Sequence, residues 1–443
     1  MSENTDKIIL FEQTPIPKAV VKLAVPTILS SLVMVLYNLA DTYFVGMCND
    51  PIQNAAVTLA APVLLAFNAV TNLFGIGSSS MMSRALGRKD YDTVYKSSAL
   101  GFYCAAVSGV LFALACLVFN IPLLRMLGAN ADTMAATGEY LKWTAIYGAV
   151  PAILNVVMAY MVRAEGAALH ASMGTMSGCF LNIILDPIFI LPWGLNMGAE
   201  GAGLATFLSN CVACLYFFVL LYKKKKSTFV CVNPKRLSMD RKIIYGICAV
   251  GIPASIQNLL NVTGMTILNN FTSSFGADAV AAMGISQGIM PLISYTYSSG
   301  NHKRMKGTLV FAARASLGFI TVVAAFYYLS SAQLTEMFMS NEAIISYGTK
   351  FLRGFCLGLP FLCMDFLAVG VFQSVGMGKE ALIFAIMRKI ILEIPALYIL
   401  NYLFPLYGLA YAQFVAEIVL AAAAVIALAK LFKKIEKQKV IAR

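Results

Sequence analysis

Twelve stretches of about twenty or more largely apolar residues run along this chain, and few folds can accommodate so many. They fall at 19–47, 54–83, 97–120, 139–162, 169–192, 198–222, 243–272, 279–298, 307–331, 351–374, 381–404 and 408–432. Each is long enough to cross a hydrocarbon core about 30 Å thick. In lipid every backbone N–H and C=O must be satisfied internally, which leaves helices or a closed barrel. Barrel strands alternate with period two, and these stretches do not. The expected fold is therefore an all-α integral membrane protein of twelve transmembrane helices. Apolar residues make up 59% of the chain and charged residues 12%, about half the charge fraction of a soluble domain.

Lys and Arg set the orientation. When alternate connections are assigned to one side, that side holds 29 of the 33 Lys and Arg residues. These include Arg84, Arg88, Lys89 and Lys96, the Lys223–Lys226 run, Lys303 and Arg304, Lys379, Arg388 and Lys389, and the tail after Lys430. Arg125, Lys142, Lys350 and Arg353 lie toward the other side. The positive-inside rule makes the basic side cytoplasmic and puts both termini there. The expected location is a cytoplasmic (plasma) membrane, crossed many times. The net charge of +12 then reports topology. The basic residues are scattered between spans, which argues against a nucleic-acid patch. The first stretch lacks a basic n-region, a short apolar core and a small-residue cleavage site, so it is expected to be retained as a helix.

The chain divides near its middle. Residues 1–18 form an amino-terminal cytoplasmic segment and 19–222 a first six-helix lobe. Residues 223–242, with a Lys run and Pro234, read as a linker. Residues 243–432 form a second six-helix lobe, and 433–443 a basic tail. The lobes repeat one another. Pro26 in its apolar context matches Pro253. Arg163-x-x-Gly166 matches Gln373-x-x-Gly376, and the Gly203 to Thr206 stretch matches Gly408 to Tyr411. Internal repeats are common in secondary transporters, where substrate binds between the repeats and rocking gives alternating access. One step differs. Pro26 and Gly77 are 51 positions apart, whereas Pro253 and Gly288 are only 35 apart. About 16 residues are absent near Ile285 and Ser286, which shortens the eighth span to 279–298 with Gly284, Gly288 and Pro291 inside it.

Charges inside the spans are costly and mark functional candidates. Asp41 lies six residues from the end of the first span, about 9 Å at 1.5 Å per residue. Asp186 is about 10 Å from the end of the fifth, and Thr206 about 12 Å into the sixth. Asn182 precedes Asp186 by four residues and shares its face. Four oxygen-bearing side chains thus reach a similar depth in the outer half of the membrane. Hard monovalent cations want oxygen ligands, and two carboxylates in a low dielectric resist ionising together without a cation. This is the expected coupling site for sodium or a proton, with sodium the candidate metal at Asp41, Asn182, Asp186 and Thr206. The structural alternative is a pair of carboxylates capped by helix ends or paired with Arg, and it is disfavoured because no Arg or Lys lies at this depth in neighbouring spans. Leu268, Ile394 and Tyr411 stand at the matching positions of the second lobe, so coupling is expected in one lobe only.

Gln257, Asp365 and Glu393 are candidates to line a substrate cavity, and Glu417 is a candidate second proton carrier. Glu165 with Arg163 reads as a cytoplasmic gate or cap. His170 and His302 read as interface residues, and Cys211 and Cys214 as packing residues. There is no Gly-rich loop ending in Gly-Lys-Ser/Thr, so direct ATP coupling is not expected, and no enzyme signature is found. No cofactor is expected beyond the coupling ion.

Several stretches resemble the multidrug and toxic compound extrusion (MATE) family, in its bacterial MepA-like branch. They are Pro26 through Gly46, Ser83 through Gly87, Arg163 through Gly166, Leu181-Asn182 through Asp186-Pro187, Gly198 through Thr206, Gln287 through Ile293 and Phe372 through Gly376. The resemblance covers roughly residues 15–435. It implies cation-coupled export of amphipathic compounds by two six-helix lobes, and a cation or proton site at the four residues counted above. Two departures stand out: the shortened eighth helix, and Asp365 where a neutral polar residue is expected. The leading expectation is a multidrug/cation antiporter working as a monomer on small drug-like compounds. A flippase for a lipid-linked sugar is the first alternative, although the acidic mid-membrane charges favour cationic substrates. A non-transporting or decayed membrane protein is the second, because of the shortened helix.

Overall fold

Helix boundaries in this chain follow from local chemistry. In the computed structural model, which describes residues 3–48, 50–269, 288–336, 342–404 and 407–441, all regular secondary structure is helical. A short α1 (Glu3–Glu12) precedes α2 (Ile16–Gly46), α3 (Pro51–Gly87) and α4 (Tyr91–Val118). Next come α5 (Asn120–Met126), α6 (Met134–Leu141), α7 (Ala149–Ala164), α8 (Ala168–Ile190) and α9 (Ala199–Lys223). The second half holds α10 (Arg241–Asn269), α11 (residues 288–298), α12 (His302–Leu329) and α13 (Ser331–Glu336). It ends with α14 (Glu342–Val375), α15 (Gly378–Ile386), α16 (Ile394–Leu403) and α17 (Tyr407–Ile441). Asp50 caps α3 by accepting from Ile52 N at 2.9 Å, with Pro51 at the first helical position, where its missing N–H costs nothing. Asn301 caps α12 by accepting from Arg304 N at 3.1 Å.

Among the described residues, nine helices are long and apolar enough to span a membrane. The number is ten when α6, extended by a π-helical turn to Tyr147, is joined to α7 across a 50° bend. The expected eleventh span is one helical run in which a π-helical segment, Met387–Glu393, lies between α15 and α16. The expected eighth span is described only from residue 288, and the Ile285–Ser286 junction lies outside the described residues. Large apolar side chains such as Leu36, Leu111, Val118 and Ile399 are exposed on the bundle's outside. That pattern suits a lipid-facing surface, since water-soluble monomers rarely expose large contiguous apolar patches.

The sequence repeat has a structural counterpart. Gly166 and Gly376 both have left-handed backbones, with φ of +88° and +85°. Each ends a helix in the same way. Gly166 N donates to Arg163 O and Ala167 N to Val162 O. Gly376 N donates to Gln373 O and Met377 N to Phe372 O. This is the Schellman closure, which needs a residue without Cβ strain. One such closure falls in each half of the chain, in the helix groups α2–α9 and α10–α17.

The groups meet chiefly through α3 and α10. Near the basic ends of these helices, Gly77 lies against the Ile247 backbone and Gly251 against the Leu73 carbonyl, with no room for a side chain. Ser255 Oγ donates to Ala69 O at 2.6 Å, and Ser80 Oγ to Gln373 O at 2.7 Å. α11 of the second group packs on the first, with Gly288 against Ala24 and Tyr295 against Gly87, and is buried at Ile289, Leu292, Ile293, Ser294, Tyr295 and Thr296. Among the described residues, the two groups are thus packed directly against one another near the basic ends of α3 and α10.

Candidate functional site

The turn between α8 and α9 sets the register of the first cluster. Pro187 has no N–H, so the Ile183 carbonyl loses its helical partner one turn before α8 ends. Beyond the helix, Leu195 N donates to Ile188 O at 2.8 Å and Met197 N to Phe189 O at 2.9 Å. Gly198 turns the chain with φ +58°, and Gln53 Oε1 accepts from Ala199 N at 2.8 Å. This tight return lays the start of α9 along the end of α8 and brings Thr206 beside Asn182.

Asn182 and Asp186 are both buried. With its amide oriented to satisfy both neighbours, Asn182 Nδ2 donates to Asp186 Oδ2 at 2.8 Å and Oδ1 accepts from Thr206 N at 3.1 Å. In the opposite orientation Nδ2 reaches Thr206 Oγ1 at 3.4 Å. Asp41 comes from α2, which packs along α8, and its charge acts on Asp186. Asp41 is half-buried, yet its Oδ1 is shielded from solvent and has no hydrogen-bond partner. Asp41, Asn182, Asp186 and Thr206 are thus brought together. Two tyrosines that the sequence reading did not single out join them: Tyr37 and Tyr140 lie within electrostatic reach of both carboxylates. Tyr37 is four residues before Asp41 and shares its face, a signal present in the sequence.

The arrangement can hold one monovalent cation or a proton. It offers carboxylate, amide and hydroxyl oxygens, and an acceptor atom with nothing to accept. No group of three or more His, Cys, Asp or Glu among the described residues could hold a metal ion. The cluster's oxygen donors suit a hard cation rather than a transition metal that prefers nitrogen or sulfur ligands.

Of the other candidates, Asp365, Glu393, Glu417 and Gln257 fall in the second half of the chain and Glu165 in the first. Asp365 is 1% exposed, and its Oδ2 accepts from Arg388 Nη1 at 2.9 Å. Arg388 also lies over the Phe366 ring, 5.1 Å from its centroid. Glu393 Oε1 accepts from Lys389 Nζ at 2.7 Å. Both cations belong to the π-helical segment. By sequence, Arg388 and Lys389 fall with a basic connection. They stand instead ten and eleven residues beyond the start of α15 at Gly378, drawn into the bundle by Asp365 and Glu393. Glu417, from α17, is buried beside this group and neither of its oxygens has a hydrogen-bond partner. Gln257 joins no charge; its Oε1 accepts from Gln373 Nε2 at 3.0 Å at the lobe boundary. Glu165 is buried at the basic end of α7 and accepts from Lys7, Thr228 and Phe229 N.

Known proteins resemble this chain over nearly its whole length. The MatE family model matches residues 26–188 and 253–399, one match in each half of the chain. The chain is 32% identical over 438 residues to the multidrug export protein MepA of Staphylococcus aureus strain MRSA252, covering 95% of each chain. It is 30% identical over 437 residues to MepA of Staphylococcus saprophyticus, again covering 95% of each. Among solved structures, a MATE protein in complex with MaD3S superimposes with TM-score 0.90 at 26% identity, over 97% of this chain and 99% of that one. An outward-facing multidrug resistance MATE transporter superimposes with TM-score 0.88 at 25% identity, over 97% and 98%.

Proposed function

The chain belongs to the MatE family, and we propose that it is a secondary active multidrug exporter that expels amphipathic, cationic compounds in exchange for sodium ions or protons. What carries the reading is Asp41 beside Asp186, with no Lys or Arg acting on either. Two like charges in a dry setting repel strongly. A sodium ion or proton between them removes that repulsion. Its departure restores it. The occupancy of the site therefore biases the packing of α2 against α8 and α9.

α2 is able to respond. Pro26 lies inside it, so the Lys22 carbonyl lacks its helical donor and the helix can bend there. On the basic side of that point α2 is held by buried Leu23 and Ala24, whose backbone lies against Gly288. On the other side it carries Tyr37 and Asp41. Ion binding can thus be felt at the lobe boundary. A ligand shifts such an equilibrium only by its differential affinity for the two states, and a site whose carboxylate spacing changes with the bend supplies that difference.

The basic side is taken as cytoplasmic, so both termini face the cytoplasm of a bacterial cell. One chain holds both lobes and the ion cluster, and the transport unit is the monomer. The test uses inverted membrane vesicles containing the protein. An imposed sodium or pH gradient should drive uptake of an ethidium-like cation, and the gradient that works identifies the ion. Uptake that responds to neither gradient but requires ATP would sink the antiport reading.

A further inference from the structure

The amino-terminal helix lies across the boundary between the lobes on the basic side and touches both. On the first lobe, Lys7 Nζ donates to Glu165 Oε1 at 2.6 Å and to the linker carbonyl of Ser227 at 2.7 Å. Glu165 also accepts from Thr228 Oγ1 at 3.0 Å and Phe229 N at 2.6 Å. Phe11 is fully buried against Gly166, where a Cβ would come within 3.0 Å of its ring. On the second lobe, Arg304 closes the carboxyl end of α1. Its Nε donates to Phe11 O at 2.7 Å, and its Nη2 to Thr14 O at 2.5 Å and Leu10 O at 3.3 Å. Tyr295 OH donates to Glu12 Oε1 at 2.7 Å, and its ring stacks on Phe11 at 4.8 Å.

We propose that α1 is the latch of the cytoplasmic gate: it bolts Tyr295 and Arg304 of the second lobe to the Glu165 pocket of the first, and must let go of the second lobe before the cytoplasmic side can open. This rests on the transport reading of the fold. The helix end explains the choice of side. The last carbonyls of a helix have no internal donor, and a cation is favoured there by the helix dipole. Arg304 meets both needs, and water can take its place when it leaves. Lys7 and Glu165 are buried, so parting them would strand two charges. Only residues 13–15 separate α1 from α2, which keeps the helix with the first lobe. The latch therefore has a firm end and a releasable end. Removing the releasable end should favour the inward-open state.

The test replaces the ten native cysteines and reads opening without relying on export. Ser79, buried at the lobe boundary beside Arg163 and Ser294, is changed to Cys. It is then labelled in inverted vesicles with a membrane-impermeant maleimide. Tyr295→Phe with Arg304→Gln should speed labelling at least threefold, and deletion of residues 2–12 at least as much. Labelling unchanged in both, at equal insertion, overturns the latch. A second arm does not depend on destabilising variants. Glu12→Cys with Tyr295→Cys, joined by a cleavable bis-maleimide, should slow Ser79→Cys labelling and stop export, with recovery on cleavage. In this arm the reporter is added after the joining step. Lys7→Cys with Glu165→Cys, joined in the same way, should leave export at its unjoined rate. The reverse pattern, or no effect of the first cross-link, overturns the proposal. Failure of export in every variant, with labelling still responsive, would count against the transport reading and leave the latch standing.

Discussion

Asn182 stands between Asp186 and Thr206, donating to the carboxylate at 2.8 Å and accepting from the threonine N–H at 3.1 Å. One amide thus ties the end of α8 to the start of α9 and fixes where the Asp186 charge sits. A leucine of similar volume can do neither. Asn182→Leu should weaken the affinity for the coupling ion by roughly 10–100-fold, the range for losing an orienting partner of an ion ligand. Substrate affinity should change little. The half-saturating sodium or proton concentration for export in vesicles measures the first, and equilibrium binding of a fluorescent cation measures the second.

Asp41 and Asp186 should be required together. In Asp41→Asn the orphaned Oδ1 becomes part of a neutral amide, and the repulsion that makes ion release matter is gone. Asp186→Asn removes the same repulsion from the other side. Each variant should insert normally and lose gradient-driven export to the level of empty vesicles. Full drug resistance of cells carrying either variant, at equal expression, would remove this cluster from the coupling mechanism.

The first-lobe cluster was legible in the sequence, whereas the second was not, and the reason is physical. A carboxylate inside a long apolar run is conspicuous alone, and counting rise per residue puts Asp41, Asp186 and Thr206 at one depth. Asn182 follows from the four-residue face repeat. Tyr37 carried the same signal. Tyr140 did not, because its place beside Asp41 depends on how α6 packs. Asp365 was visible as a charge, but its partner was hidden. Arg388 lies toward the basic end of its span, where a basic residue passes for a topology signal. Its side chain reaches Asp365 from a π-helical segment. A π turn carries more residues than an α turn and shifts the faces that follow it, which no 3.6-residue count anticipates.

Asp90 offers a check outside the membrane. It caps α4, with Oδ1 accepting from Thr93 N at 3.2 Å and Oδ2 from Thr93 Oγ1 at 2.6 Å. Those bonds favour the ionised form and hold its pKa below the usual carboxylate value. A depressed folded-state pKa gives stability that is present above the unfolded pKa and lost as pH falls through the folded one. The Asp90 contribution should thus be intact at neutral pH and fade below about pH 4. Asp90→Ala should cost about 1 kcal/mol at pH 7. Detergent melting curves should show the wild type and variant converging as pH falls toward 3.

Arg388 and Asp365 give the sharpest test of stability. Both are almost fully buried, at 3% and 1% side-chain exposure, so neither charge has water to fall back on. Breaking such a pair from one side leaves an uncompensated charge and costs about 3–5 kcal/mol. Replacing both by apolar groups removes the desolvation penalty as well as the attraction, and is often neutral or stabilising. The second lobe adds a complication that sharpens the outcome. Three acids, Asp365, Glu393 and Glu417, face two bases, Arg388 and Lys389. Removing Arg388 alone leaves three acids against one base, whereas removing Asp365 alone leaves two against two. Arg388→Met should therefore lower the melting temperature more than Asp365→Leu. The double variant should recover much of the loss and fall between the wild type and Asp365→Leu. Equal melting temperatures for the wild type and Arg388→Met would mean that the ion pair does not form as described.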